Sequence, residues 1–88
     1  MKRRELKKTI NGLCGELMAE CLAILSYHKG KNKEDVENTI KSILQMQNDL
    51  INRLSHVEPG SEKLFFRKLK KDMISATDEI VEIIMSLA

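Results

Sequence analysis

The chain has 88 residues, 42% of them apolar and 32% charged, with a net charge of +2. That length holds one hydrophobic core with no material for a second, and that balance of apolar and charged residues excludes an intrinsically disordered chain. The three aromatic residues, Tyr27, Phe65 and Phe66, are too few to build the stacking platforms on which single-strand nucleic-acid readers depend.

The first predicted element is a helix over residues 3–29. Leu6, Ile10, Leu13, Leu17, Cys21, Ile24 and His28 recur in steps of three and four, the spacing of one helical face. Lys2, Arg3, Arg4, Lys7 and Lys8 precede the apolar stretch as they would in a signal peptide. Glu16 and Glu20 interrupt that stretch, however, and the same two carboxylates argue against a membrane span, where each costs about 2.5–3.5 kcal/mol at the bilayer centre. Cys14 and Cys21 lie about 10 Å apart along the axis, too far for a disulfide. Free thiols in an apolar setting point to a reducing compartment, so the expected location is the cytoplasm.

The opposite face of this helix carries Gly12, Gly15, Ala19, Ala23 and Ser26, all small and uncharged, with Met18 and Leu22 beside them. A solvated helix exterior takes Lys, Glu, Arg or Gln. Each helical glycine costs up to about 1 kcal/mol relative to alanine, which close packing against another backbone offsets. This face is therefore expected to self-associate through a two-fold axis, giving a homodimer. The plainer alternative is that the glycines only loosen or kink the first turns.

Gly30-Lys31-Asn32 separates this element from a second helix over residues 33–57. Gly30 stands where a helix C-terminus takes a left-handed residue, and Asn32 is expected to cap the next helix, with Glu34 and Asp35 in its first turn. Its core stripe reads Val36, Ile40, Ile43, Gln47, Leu50, Leu54 and Val57. A buried Gln47 has to be hydrogen-bonded and is read as a register-setting residue. His56 is read as a capping residue at the helix end, where the dipole favours a cation.

Glu58-Pro59-Gly60-Ser61 makes the second break. Pro59 and Gly60 stop helix two, and Ser61 is an N-cap with Glu62 just after it. The third helix, over residues 61–87, carries Phe66, Leu69, Met73, Ala76, Ile80, Ile83 and Leu87 on its core face. Short connections force neighbouring helices to run antiparallel, so the predicted fold is all-α: a three-helix, up-down-up bundle forming a single domain over residues 1–88.

Several pieces of the chain look familiar together: Arg3-Arg4-Glu5-Leu6-Lys7-Lys8, Leu13-Cys14-Gly15-Glu16-Leu17, Ala19-Glu20-Cys21 and the Ser55-His56-Val57-Glu58-Pro59-Gly60 turn. They resemble a small uncharacterised helical family of Bacteroidetes bacteria over most of the chain. The resemblance implies a bacterial, cytoplasmic origin and transfers no site residue.

Candidate chemistry is sparse. Cys14, Cys21 and His28 share a face, but ligands of one ion on a single helix need spacings of three or four, and these are spaced by seven. His56 belongs to the opposite end of the bundle from His28. Glu16 and Glu20 are adjacent on helix one, yet the Glu-x-x-His pairing of bundle carboxylate sites is missing. No nucleophile grouping and no glycine-rich phosphate loop is present. The expectation is a non-enzymatic protein with no metal, no cofactor and no small-molecule substrate.

Charge is the more informative signal. Residues 1–8 and 53–72, which meet at one end of an up-down-up bundle, carry eleven cations and four anions, a balance of +7; the remainder has four cations and nine anions, a balance of −5. Cations at the starts of helices one and three oppose the helix dipole at about 0.3–1 kcal/mol for a well-placed charge, so local stability does not explain them. Arg3, Arg4, Lys7, Lys8, Arg67, Lys68 and Lys71 are expected to bind an anionic macromolecular partner. Phosphates of a nucleic acid, an acidic protein or the acidic end of a second subunit, with Asp78, Glu79 and Glu82, would all serve. An acidic protein surface is preferred because no aromatic group interleaves the cations. A basic face serving only solubility remains the competing reading, with a nucleic-acid-associated regulator next and a metal carrier or enzyme last.

Overall fold

The structure, a computed structural model, describes residues 3–27, 32–57 and 60–87. The described residues form three helices: α1 (Arg3–Tyr27), α2 (Lys33–Leu54) and α3 (Glu62–Leu87). They form an all-α three-helix bundle 50 Å long and 18 by 17 Å across. Its up-down-up course is pinned by two polar links. Gln47 Nε2 donates to Asn11 Oδ1 at 2.9 Å, tying the later part of α2 to the earlier part of α1, and Arg53 Nη2 donates to Asp72 Oδ2 at 2.9 Å, tying the end of α2 to α3.

The boundaries follow from local chemistry. Helix α2 stops at Leu54, three residues before the predicted end. Its last turn tightens through bonds from Ser55 N–H to the Asn52 carbonyl (3.1 Å) and His56 N–H to the Arg53 carbonyl (3.2 Å), with Pro59 ahead disfavouring further helix. His56 is exposed in that turn and caps through its backbone. The predicted cap at Asn32 is corrected in its mechanism: the residue adopts a left-handed conformation (φ 61°), and its side chain makes no capping bond. Asparagine tolerates that region, and its carbonyl accepts from Val36 N–H at 2.9 Å to start the helix. Gly60, at φ 91°, takes the turn conformation that side chains avoid, and the Ser61 carbonyl accepts from Phe65 N–H at 3.0 Å. The expectations for His28, Gly30 and Pro59 lie outside the described residues.

The core comprises Leu6, Ile10, Cys14, Leu17, Cys21 and Ile24 of α1, Val36, Ile43, Met46, Leu50 and Leu54 of α2, and Leu69, Met73, Ile80 and Ile84 of α3. Compared with the predicted stripes, several positions change, and Val57, Phe66 and Leu87 are half-buried at the margin instead of in the core. Cys14 takes the place of Leu13, Thr39 that of Ile40, Met46 that of Gln47 and Ile84 that of Ile83, while Ala76 is only half-buried. On α1 and α3 the changes share a geometric origin. Helix α1 and helix α3 touch one another along much less of their length than either touches α2. Both therefore turn their stripes toward α2, leaving Leu13 at the margin and Ile83 44% exposed. Thr39 is admitted to the core because its hydroxyl donates to the Asp35 carbonyl at 2.8 Å. Gln47 is half-buried at the core edge, where its bond to Asn11 sets the α1/α2 register without burying an amide.

Candidate interaction surface

Where α1 and α3 separate, a groove opens. Its larger part, about 410 Å³, is lined by Leu13, Glu16, Leu17, Ala19, Glu20, Thr77 and Val81. A second part of about 250 Å³ shares Leu13 and Thr77 and adds Met73, Ile74 and Asp78. The floor is apolar, and carboxylates stand along one stretch of the rim. Ile74 is 58% exposed, and Val81 and Met85 continue its line along α3. The Thr77 hydroxyl is buried in the wall with no hydrogen-bond partner among the described residues, unlike those of Thr9 and Thr39, which bond to the carbonyl four residues earlier.

The small face of α1 borders this groove. Gly12, Gly15, Ala19 and Ala23 are exposed, Met18 is half-buried and Leu22 is 57% exposed. A Cβ added at Gly12 or Gly15 would meet nothing within 4 Å, so nothing within the bundle requires either glycine. By length and composition α1 is also apolar enough to cross a membrane, despite Glu16 and Glu20, yet only 28% of its most apolar stretch is buried. Three-helix packing therefore leaves much of the apolar surface of α1 uncovered.

The seven cations named from sequence are all exposed. Among the described residues, none of Arg3, Arg4, Lys7, Lys8, Arg67, Lys68 and Lys71 joins an ion pair; Arg53 alone does, with Asp72 at 2.9 Å and Asp49 at 3.8 Å. One expectation is corrected here. Phe66 does stand among cations, in a shallow cleft with Lys63, Arg67 and Lys70, because spacings of three and four from Lys63 to Lys70 place it on their face. Its ring is half-buried and lies edge-on to Phe65, with centroids 5.6 Å apart and planes at 71°.

Cys14 and Cys21 are free, buried thiols. Burial pushes both above the ordinary thiol value of 9.0, and the Glu20 carboxylate adds to the rise at Cys21. They are thus protonated, apolar core residues at neutral pH. Among the described residues no three His, Cys, Asp or Glu side chains converge as a metal site requires. Sequence reasoning missed the groove residues Ile74, Thr77 and Val81. The readable signal was a second apolar line on helix three, Ile74, Val81 and Met85, spaced by seven and four.

Together the fold and surface define a helical bundle with one helix pair left open. Comparison with protein-family models, curated proteins and solved structures finds no match to the chain.

Proposed function

We propose that this chain is a non-enzymatic helical interaction module of the bacterial cytoplasm, homodimeric, whose basic end docks onto an acidic protein surface. One observation carries the reading. At the end where α1 and α3 begin, Arg3, Arg4, Lys7, Lys8, Arg67, Lys68 and Lys71 are exposed and outside any ion pair among the described residues, while the neighbouring Arg53 is held by two aspartates. Arg3 and Arg4 in the first turn of α1 oppose its dipole, and seven exposed cations outside any ion pair among the described residues supply a field for an external anion. Phe66 is a single ring packed edge-on to Phe65, which does not make the stacking array of a nucleic-acid reader.

The test is affinity capture from the native cell, with captured proteins identified by mass. Replacing Arg4, Lys8, Arg67 and Lys71 together with glutamine is expected to abolish capture while leaving helix content unchanged. Capture that survives this replacement and also persists in about 1 M salt, where the screening length is about 3 Å, would refute the basic end as the docking surface.

A further inference from the structure

We infer that the α1/α3 groove is the seat of a second copy of this chain, laid antiparallel across a two-fold axis level with Gly12 and Ile74. The inference rests on the interaction-module reading and names one acidic surface that the basic end meets: the carboxylate half of the same face on another copy.

Charge changes sign along the open face. On α1, Lys8 precedes Gly12 by four residues and Glu16 follows it by four, so the three share one line of the helix, and Glu16, Ala19 and Glu20 line the groove itself. On α3, Arg67 and Lys70 precede Ile74, while Asp78 and Glu82 follow it. Leu13 shares the groove with Met73, Ile74 and Thr77, so Gly12 and Ile74 stand at the same height in the bundle. Two helices of unrelated sequence thus change sign at one level. The open face is a dipole with its neutral point over Gly12 and Ile74.

Symmetry then selects the occupant. A two-fold axis lying in the interface and perpendicular to the helices places α1 against α1 and α3 against α3, each antiparallel. It sets residue 12−n opposite residue 12+n, so Lys8 meets Glu16 of the second copy twice over. On α3 the same axis sets Lys70 against Asp78 and brings Arg67 close to Glu82. A parallel dimer would lay cations on cations. A lipid surface would receive Glu16, Glu20 and Asp78 along with the apolar floor, at about 2.5–3.5 kcal/mol for each carboxylate carried to the bilayer centre. A second copy carries the complementary dipole by identity, because an isologous interface needs only self-complementarity. At the axis itself stands Gly12, with open space where a Cβ would be, which lets the two α1 backbones approach closely.

The apolar part of the face supplies the driving force. Ile74 and Val81 are exposed beside Leu13 and Ala19, and joining two such faces removes this surface from water. The remaining named cations, Arg3, Arg4, Lys7, Lys68 and Lys71, are not used in these pairs and stay available to a further partner.

The experiment is sedimentation equilibrium of the full chain at tens of micromolar, using wild type, Lys8→Glu, Glu16→Lys and the double replacement carrying both. All are surface changes, and circular dichroism checks the fold. Wild type is expected to dimerise. Each single reversal creates two like-charge contacts about the axis and should weaken the dimer roughly tenfold, while the double replacement restores it. A second measurement does not depend on variants. Carbodiimide treatment of mixed unlabelled and nitrogen-15-labelled wild-type chains should yield a Lys8–Glu16 amide between copies: the carboxylate adds to the carbodiimide, and the amine displaces the resulting urea to form the amide. A monomeric wild type overturns the inference, as does a dimer indifferent to both reversals and lacking that amide. Capture of an acidic protein by a chain that stays monomeric overturns this inference and the homodimeric part of the module reading, while leaving docking through the basic end standing. A charge-swappable dimer that captures nothing else supports the inference and removes the external partner.

Discussion

Replacing Gly12 and Gly15 with alanine should move folding and association in opposite directions. A mid-helix glycine is about 0.8–1.0 kcal/mol less favourable than alanine, chiefly through backbone entropy. Neither position has an atom within 4 Å of where the Cβ would go, so no clash subtracts from that gain, and both are exposed in the single chain. The double replacement should therefore stabilise the isolated bundle by up to about 2 kcal/mol. For a domain of this size each kcal/mol is worth roughly 4–8 °C in Tm. In the two-fold arrangement the same methyl groups enter the space where two α1 backbones approach, so the dimer should weaken. Thermal melts by circular dichroism at dilute concentration read the first effect, and a sedimentation series reads the second. An unchanged or lower Tm in dilute protein would refute the open-space reading of α1. A Tm increase with undiminished association would place the two-fold axis elsewhere.

Thr77→Val should stabilise the bundle by about 1 kcal/mol, because it replaces a buried hydroxyl that has no partner by a methyl of the same shape; a clear loss in chemical denaturation would mean that the hydroxyl is bonded. Cys14 and Cys21 should react with iodoacetamide only as fast as the bundle opens, since both are buried and held protonated. Their raised folded-state values also fix a pH dependence: the unfolded thiols ionise first, so the stability they contribute is intact below pH 9.0 and lost as pH rises above it. A urea midpoint that holds steady or rises from pH 8 to about 10 in wild type, relative to the Cys14→Ala, Cys21→Ala double variant, would contradict this. Arg53→Gln should cost under about 1 kcal/mol, since its pair with Asp72 is partly exposed; a loss several times larger in urea unfolding would make that link a buried, obligatory one.

Helix number, the two breaks and the antiparallel course were legible because glycine, proline and three-and-four spacing act locally. The phase of the stripes was less so. Leu13, Ile40 and Ile83 fit the helical rhythm as well as Cys14, Thr39 and Ile84 do; hydrophobicity favours Leu13 and Ile40 and does not separate Ile83 from Ile84. What decides is that α1 and α3 both turn toward α2, a tertiary choice invisible along any single helix. Thr39 could be buried only because Asp35 offers its carbonyl, and Gln47 could leave the core only because Asn11 waits across the α1/α2 seam. The cap at Asn32 failed for a related reason: its left-handed backbone takes the side chain away from the amides it would have bonded. The basic end and the small stripe of α1 were readable as surface features from composition and helical spacing. The groove beside Ala19 was not, because Ile74, Thr77 and Val81 matter only once α1 and α3 are seen to part.

The claim on which the rest depends is that the face bordered by Ala19 is covered in the working protein by another copy. Light scattering coupled to size exclusion, run on wild type and Ala19→Glu, tests it most directly. The wild-type mass is predicted to be twice the chain mass of 10.1 kDa. The variant, with a carboxylate driven into the groove wall, is predicted to fall to the single-chain mass with its helix content intact. A wild type that elutes at the single-chain mass at tens of micromolar, unaltered by Ala19→Glu, would contradict the account.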